Sequence, residues 1–336
     1  MSVTLKDVAE RAGVSRSAVS RTFTTGASVS PKTRRKVEKA ADELGYSPNA
    51  LASSLTTGRT KLIGLISNNF HNPLFLEVFD LFTRTLQDKG FRPLLVNLTD
   101  ETDPANSLRM LRQYSVDGVI VASSTLSPDF SMAFQQAGIP VVHSFGRFAS
   151  APKVHVVGIN NAECGRMAAR TLLDRGYRRI AFLGGPAEAT STIDRRRGFF
   201  EVADAAQGIN ASESYASAYS FDAGRAEMLR LLNSHPAEAY FCGDDVVAVG
   251  ALSAIREQGQ RVPEDIGIIG LNNMDMARWQ NINLTTIHQP IRQIIDSSIE
   301  LVIAMLDHPL RQPEARLFGC EIVERGTLRP LRPLPL

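Results

Sequence analysis

The sequence predicts a small all-α head of helix-turn-helix type, followed by a two-lobed α/β body with parallel sheets. Three observations predict it. The first sixty residues hold three short amphipathic helical segments with cap residues at their ends and a marked excess of positive charge. From Lys61 onward, apolar runs of five or six residues alternate with helical stretches. Those runs fall into two sets, which predicts two similar lobes. At 336 residues the chain also exceeds one ordinary core, so two or three units are expected.

The head, residues 1–46, is legible from its caps. "TLKDVAERAGVS" reads as a helix with Thr4 as N-cap and Asp7 near the N3 position. Leu5, Val8, Ala9 and Ala12 share one side, and Gly13 is free to take the left-handed conformation that ends a helix. Ser15 caps the next segment, "VSRSAVSRTF", where Val19 and Phe23, one turn apart, must face the core. Arg16, Ser17, Ser20 and Arg21 then lie around its outer side. Ser30 caps the third helix, Pro31 takes its first position, Val37, Ala40, Ala41 and Leu44 repeat at helical spacing, and Gly45 stops it. A Gly-containing turn between the first two helices matches a helix-turn-helix.

Residues 1–61 hold eleven lysines and arginines against five acids, a net +6 that leaves −4 for the rest of a chain whose total is +2. A basic head on a mildly acidic body predicts a polyanion partner for the head alone. A solvated charged face is the plainer account of one such helix. Caps and charge together favour presentation to a DNA major groove, where Arg pairs with guanine and Ser with bases or phosphates.

Residues 47–60 follow, within "YSPNALASSLTTGRT". Pro48 keeps Ser47 out of the helical region, Asn49 can cap, and "ALASSL" falls short of the roughly 12 residues that an isolated helix needs in water. On its residues alone this reads as an ordinary linker.

The body, residues 61–330, has "LIGLIS", "RPLLVN", "DGVIVA" and "IPVVHS" as one set of strands and "RIAFLG", "AEAYFC" and "IGIIGL" as the other. Ligands in such folds sit beyond the carboxyl ends of the strands. The segments found there are "NNFHNPLF", "STIDRRRGF" and "GDD".

Taken in order, these motifs resemble the lac repressor family of bacterial transcription regulators over nearly the whole chain. The resemblance implies a periplasmic-binding-protein-like sensor body, operator DNA as partner, a homodimer, and a small-molecule effector in place of any cofactor or metal. It implies DNA contacts from Thr4, Ser15, Arg16, Ser17, Arg21, Ser30 and Arg34 in the head. It also makes residues 47–60 a hinge helix in which Asn49, Ala52 and Leu55 meet DNA, with Leu55 wedged into the minor groove. For the effector it implies Asn72, Phe75, Ser191, Arg195, Tyr219, Asp244, Asn272 and Gln289, with Tyr219 as a stacking aromatic. A sugar or sugar acid is the implied class, since hydroxyl-rich rings have an apolar face and a polar rim. Induction is the commoner response in the resembled family, and some members need a corepressor.

Several positions depart from the family pattern. Ala18 and the Arg16–Ser17 pair differ from the usual reading residues, which implies a different operator. "GLNN" places Asn272 where a carboxylate is common, and Asp244 stands where Asn or Ser is usual. With Arg195 and Arg147, the lost charge at 272 leaves room for an anionic ligand, although Asp244 opposes one. Ala189 stands where purine-type members carry an arginine, which disfavours a purine. The end, "GTLRPLRPLPL", has prolines that exclude a helical coiled coil, so a dimer rather than a tetramer is expected.

Other classes find less support. No G-x-G-x-x-G, P-loop, G-x-S-x-G or H-E-x-x-H motif occurs, and the six histidines are scattered, so an α/β enzyme on a sugar or nucleotide is the weaker reading. A free transport protein would carry a secretion signal and no basic head, whereas this N-terminus is charged and a cytoplasmic protein is expected. No apolar run approaches the roughly 18 residues of a membrane span. Cys164, Cys242 and Cys320 are far apart in sequence, which predicts neither a disulfide framework nor a zinc site.

Overall fold

The computed structural model describes residues 3–24, 26–47, 54, 58–98, 103–234 and 236–331. The chain divides into two units, Met1–Lys61 and Leu62–Leu336. In the first, the cap residues set the ends of α1 (Leu5–Ala12), α2 (Arg16–Phe23) and α3 (Pro31–Leu44). Thr4 and Asp7 form a reciprocal capping box, Gly13 closes α1 at φ 63°, and Ser15 and Ser30 accept the third amide of their helices. Val8, Val19 and Val37, one from each helix, are fully buried in one cluster, with the rings of Phe23 and Tyr46 tilted against each other beside them at 5.9 Å. Arg11 of α1 donates to Glu43 of α3, tying the first helix to the third.

The second unit holds two six-stranded sheets. The first has order β11-β5-β4-β3-β1-β2 and is parallel throughout. Its strands are β1 (Leu62–Ser67), β2 (Arg92–Asn97), β3 (Gly118–Ala122), β4 (Val141–Ser144), β5 (His155–Ile159) and β11 (Ala315–Phe318). Helices α4 (Leu74–Asp88), α5 (Pro104–Gln113), α6 (Pro128–Gln136) and α11 (Ile291–Asp307) complete this lobe. The second sheet, β12-β10-β9-β8-β6-β7, combines β6 (Arg179–Gly184), β7 (Asn210–Tyr215), β8 (Ala239–Cys242), β9 (Gly267–Asn272), β10 (Thr286–His288) and β12 (Glu321–Val323). Its helices are α7 (Asn161–Asp174), α8 (Thr190–Ala203), α9 (Phe221–Leu232) and α10 (Asp245–Glu257). The sheets are parallel as expected, with one antiparallel edge, since β12 runs antiparallel to β10. It is a three-residue edge strand that returns directly from the other lobe, and antiparallel pairing needs no crossover helix.

Strands β3 and β5 are buried along their whole length, as expected of parallel strands covered on both faces. Helix α4 buries Leu74, Phe75, Val78, Phe82 and Leu86, a stripe at helical spacing, against this sheet. In the second lobe α7 and α8 pack at backbone contact. A Cβ on Gly198 would stand 1.8 Å from the Ala162 carbonyl oxygen, and one on Gly165 would stand 2.0 Å from that of Arg195. Only hydrogen fits at either position.

The chain passes between the lobes three times: at Asn160 between β5 and α7, at Gln289–Pro290 between β10 and α11, and at Gly319–Cys320 between β11 and β12. Phe318 pairs with Ile159, and Glu321 with His288. The third crossing therefore runs alongside the other two.

Candidate functional site

In the head, α2 turns Arg16, Ser17, Ser20 and Arg21 outward, all exposed, while Val19 is buried and Phe23 packs on the core. Ser17 bonds to the Ser15 cap at 2.9 Å, and Arg21 Nε reaches the Ser17 carbonyl at 3.4 Å, so the side chains on this outer face brace one another. Thr4, Ser15 and Ser30 are caps that each present a free helix N-terminus to solvent. An anion such as a phosphate is stabilised there. Arg34 is different: its Nη1 donates to the Thr22 carbonyl at 2.9 Å, which locks α3 against α2. Asn49, Ala52 and Leu55 lie outside the described residues.

In the body, one pocket opens between the lobes at the carboxyl ends of the strands. Asn69, Asn72, Leu74, Phe75, Ser124, Phe145 and Ile159 line it from the first lobe. Asn161, Arg195, Asp244, Asn272 and Gln289 line it from the crossings and the second lobe. Six of the eight effector residues named from sequence thus meet there.

Each polar group has a local reason for its position. Asp244 is the N-cap of α10, with Oδ1 accepting from the Val246 amide at 2.8 Å. Its Oδ2 accepts from Asn72 Nδ2 at 2.9 Å and from Asn272 Nδ2 at 2.8 Å. Burial pushes the Asp244 carboxyl above its ordinary range, against the pull of those bonds and of Arg195. Asn272 ends β9 at φ 125° and takes Gln289 Nε2 on its Oδ1 at 2.6 Å. Phe145, at the end of β4, is likewise left-handed at φ 62°. Backbone strain of this kind costs about 1 to 3 kcal/mol per residue and concentrates at functional sites.

Arg195 is held on α8 by the glycine contact with α7. Its Nε donates to Asn161 Oδ1 at 2.8 Å, and Nη1 donates to the Gly243 carbonyl. Its second Nη has no partner among the described residues, on a side chain only 4% exposed. The pocket therefore offers a cation on one side, a capped carboxylate on the other, and an apolar patch of Phe75, Phe145 and Ile159.

Two residues named from sequence stand behind this wall rather than in it. Tyr219 is buried, its hydroxyl bonded to Thr192 at 2.7 Å and to Ser191 at 3.1 Å, and its ring fills the space that a Cβ on Gly185 would need. In this arrangement Tyr219 buttresses the first turn of α8. Ser191 is turned toward Tyr219, and its amide donates to the Ser124 carbonyl of the other lobe at 3.2 Å. Conversely, sequence reasoning missed Asn69, Leu74, Ser124, Phe145, Ile159 and Asn161. Of these, Asn161 follows an apolar run, "HVVGI", that carried the same strand-end signal.

Three further bonds, with the Asn72–Asp244 bond already described, join the lobes around this pocket. Ser124 O also accepts from Thr190 Oγ1 at 3.0 Å. Arg147 grips Asp194 of α8 with two parallel bonds, Nε to Oδ2 at 3.0 Å and Nη2 to Oδ1 at 2.8 Å. Arg147, named above for an anionic ligand, thus already holds a carboxylate of its own chain.

Comparison with known proteins places both units. Residues 4–49 match the family described as bacterial regulatory proteins, lacI family, and residues 169–328 match a periplasmic binding protein-like domain. The HTH-type transcriptional repressor PurR of Escherichia coli is 34% identical over 330 residues, covering 97% of this chain and 96% of that protein. The chain belongs to the lacI family. Among solved structures, the lac repressor dimer bound to operator and the anti-inducer ONPF superposes with TM-score 0.85 at 26% identity, covering 97% and 99% of the two chains. A complex of the transcriptional regulator CelR with cellobiose gives TM-score 0.72 at 28% identity over 97% and 99%. As a lacI-family member the chain is a ligand-responsive transcriptional repressor that binds operator DNA and a small-molecule effector, and its relatives are repressors rather than enzymes. No described helix is long and apolar enough to cross a membrane.

Proposed function

We propose that this lacI-family repressor controls genes for uptake or breakdown of a carbohydrate or sugar acid, binding a palindromic operator as a cytoplasmic homodimer with one α2 in each half-site. The observation that carries the ligand class is the pocket itself. Phe75, Phe145 and Ile159 supply an apolar patch, while Arg195, Asp244, Asn272, Asn72 and Gln289 supply a polar rim, the division that a hydroxyl-rich ring requires. Arg195, with an Nη to give, suits a carboxylate or a ring oxygen. Residues 47–60 act as the hinge, with Asn49, Ala52 and Leu55 against the minor groove. Effector binding favours one lobe arrangement and changes operator affinity by about 1 to 3 kcal/mol, the usual size of such coupling.

A purine is the second reading, favoured by the 34% identity to PurR. Ala189, the N-cap of α8, argues against it, because its methyl side chain offers no donor to a base. A thermal-shift panel of neutral sugars, sugar acids and purine bases separates the two, since a ligand at 100 times its Kd stabilises by about 2.7 kcal/mol. A shift from purines alone overturns the carbohydrate reading.

A further inference from the structure

The three lobe crossings bring together two cysteines that lie 156 positions apart in sequence. Cys164 sits in the first turn of α7, directly after the first crossing, and Cys320 sits in the third. Strand register fixes this meeting: Phe318 pairs with Ile159 and Glu321 with His288, so residue 320 is threaded between the first and second crossings. Cys320 packs on the apolar cluster that contains Cys164. Cys164 is buried; Cys320 is only partly covered, and the exposed Gly319 before it borders open space. Cys242, the third cysteine, is fully buried in β8.

We propose that Cys164 and Cys320 form an oxidisable dithiol at the lobe hinge, whose reactants are small hydroperoxides and low-molecular-weight disulfides. The neighbouring Cys320 thiol and the charge of Arg195 hold the Cys164 thiol below its ordinary value against the opposing effect of burial, which favours the thiolate that such chemistry needs. With a hydroperoxide, one sulfur bonds to the terminal oxygen as the O–O bond breaks, giving a sulfenic acid and water or an alcohol. The second sulfur then displaces the hydroxyl, its proton leaves as water, and an S–S bond forms. Two thiols lose two electrons and the peroxide gains them. With a disulfide, two successive exchanges reach the same product and release two thiols. The new bond staples the third crossing to α7, at the place where lobe rotation must bend the chain, and beside the arginine that reaches into the pocket.

The test uses the full-length protein treated with hydrogen peroxide or diamide and mapped by non-reducing peptide mass spectrometry. The expected result is a dithiothreitol-reversible Cys164–Cys320 peptide with Cys242 left free, formed at least roughly tenfold faster than in the urea-unfolded chain because the thiols are held together. Cys320→Ala and, independently, Cys164→Ser abolish it, so the proposal does not rest on one variant folding. Amide exchange across residues 318–321 slows by roughly tenfold in the oxidised protein, since stapling suppresses local opening. Oxidation of Cys320 to a sulfenic acid or mixed disulfide with Cys164 still free overturns the proposal, as does cross-linking no faster than in urea. Unchanged exchange overturns the staple.

Discussion

Replacing Asp194 by Asn removes the charge from the bidentate bridge that Arg147 makes between the lobes. The Asp194 side chain is 8% exposed and that of Arg147 36%. Exposed pairs contribute about 0.2 to 1 kcal/mol, whereas stripping one partner from a fully buried pair costs about 3 to 5. A bridge with one end buried and one end wet falls between, at roughly 1 to 2 kcal/mol, a factor of about 5 to 30 in the closure equilibrium. Closure is linked to effector binding, so Asp194→Asn weakens effector affinity by that factor, measured by titration calorimetry with the ligand found in the thermal-shift panel. Arg147→Gln has a similar effect, and the double variant is no worse than Asp194→Asn alone, because both remove the same bridge while only Asp194→Asn also weakens the local pair with Arg197 on α8. Additive losses, or an affinity equal to that of the parent, would refute the reasoning.

Four further outcomes are expected. Arg21→Ala loses specific operator binding in a gel-shift titration while effector affinity stays unchanged; equal operator titrations would remove α2 from the interface. Arg195→Ala abolishes the effector response without loss of operator binding, and a variant still switched normally by effector would displace Arg195 from the site. Gly198→Ala, whose Cβ meets a backbone oxygen at 1.8 Å, lowers thermal stability by about 3 kcal/mol or more, since α7 and α8 must separate to admit it. The last concerns pH. Burial raises the Asp245 carboxyl from 3.8 to about 7, so between those values the folded protein binds more protons than the unfolded chain and loses stability as pH rises. Asp245→Asn lacks that loss, and its stability in denaturant titrations gains on the parent from about pH 4 to pH 7; a constant difference would contradict the assignment.

How far the sequence disclosed this structure depends on the range of the interaction that fixes each part. The head is fixed by local chemistry: Thr4, Ser15 and Ser30 each accept the amide three residues on, and Gly13 and Gly45 end helices with their own backbone. Buried strands such as "GVIVA" are fixed by continuous apolar surface and are equally legible. Strand β7, "NASESY", is not, because as the edge of its sheet it needs little apolar cover. Strands β11 and β12 are hidden for the same reason, since both are edge strands with no fully buried residue, whereas the equally short β4 and β8 are buried throughout. The pocket follows the same division. Residues directly after strands, such as Asn72, Asp244 and Asn272, could be placed by rule. The direction of Tyr219 depends on Gly185 and on the hydroxyls of Ser191 and Thr192, which no spacing reveals. The Arg147–Asp194 and Cys164–Cys320 meetings depend on how the two lobes are threaded together, and sequence distance conceals them.

That threading also sets an order of events during synthesis. The first lobe lacks its edge strand β11 and its covering helix α11 until residues 291–318 have emerged, so neither lobe can be finished before nearly the whole chain is made. The head, with its own core of Val8, Val19 and Val37, depends on none of this and folds as a unit early. A nascent or prematurely stopped chain thus carries the head, with its outward face of α2, before it has any sensor to govern it. A truncation ahead of Ile291 would release a head with no working control, not a repressor missing one lobe.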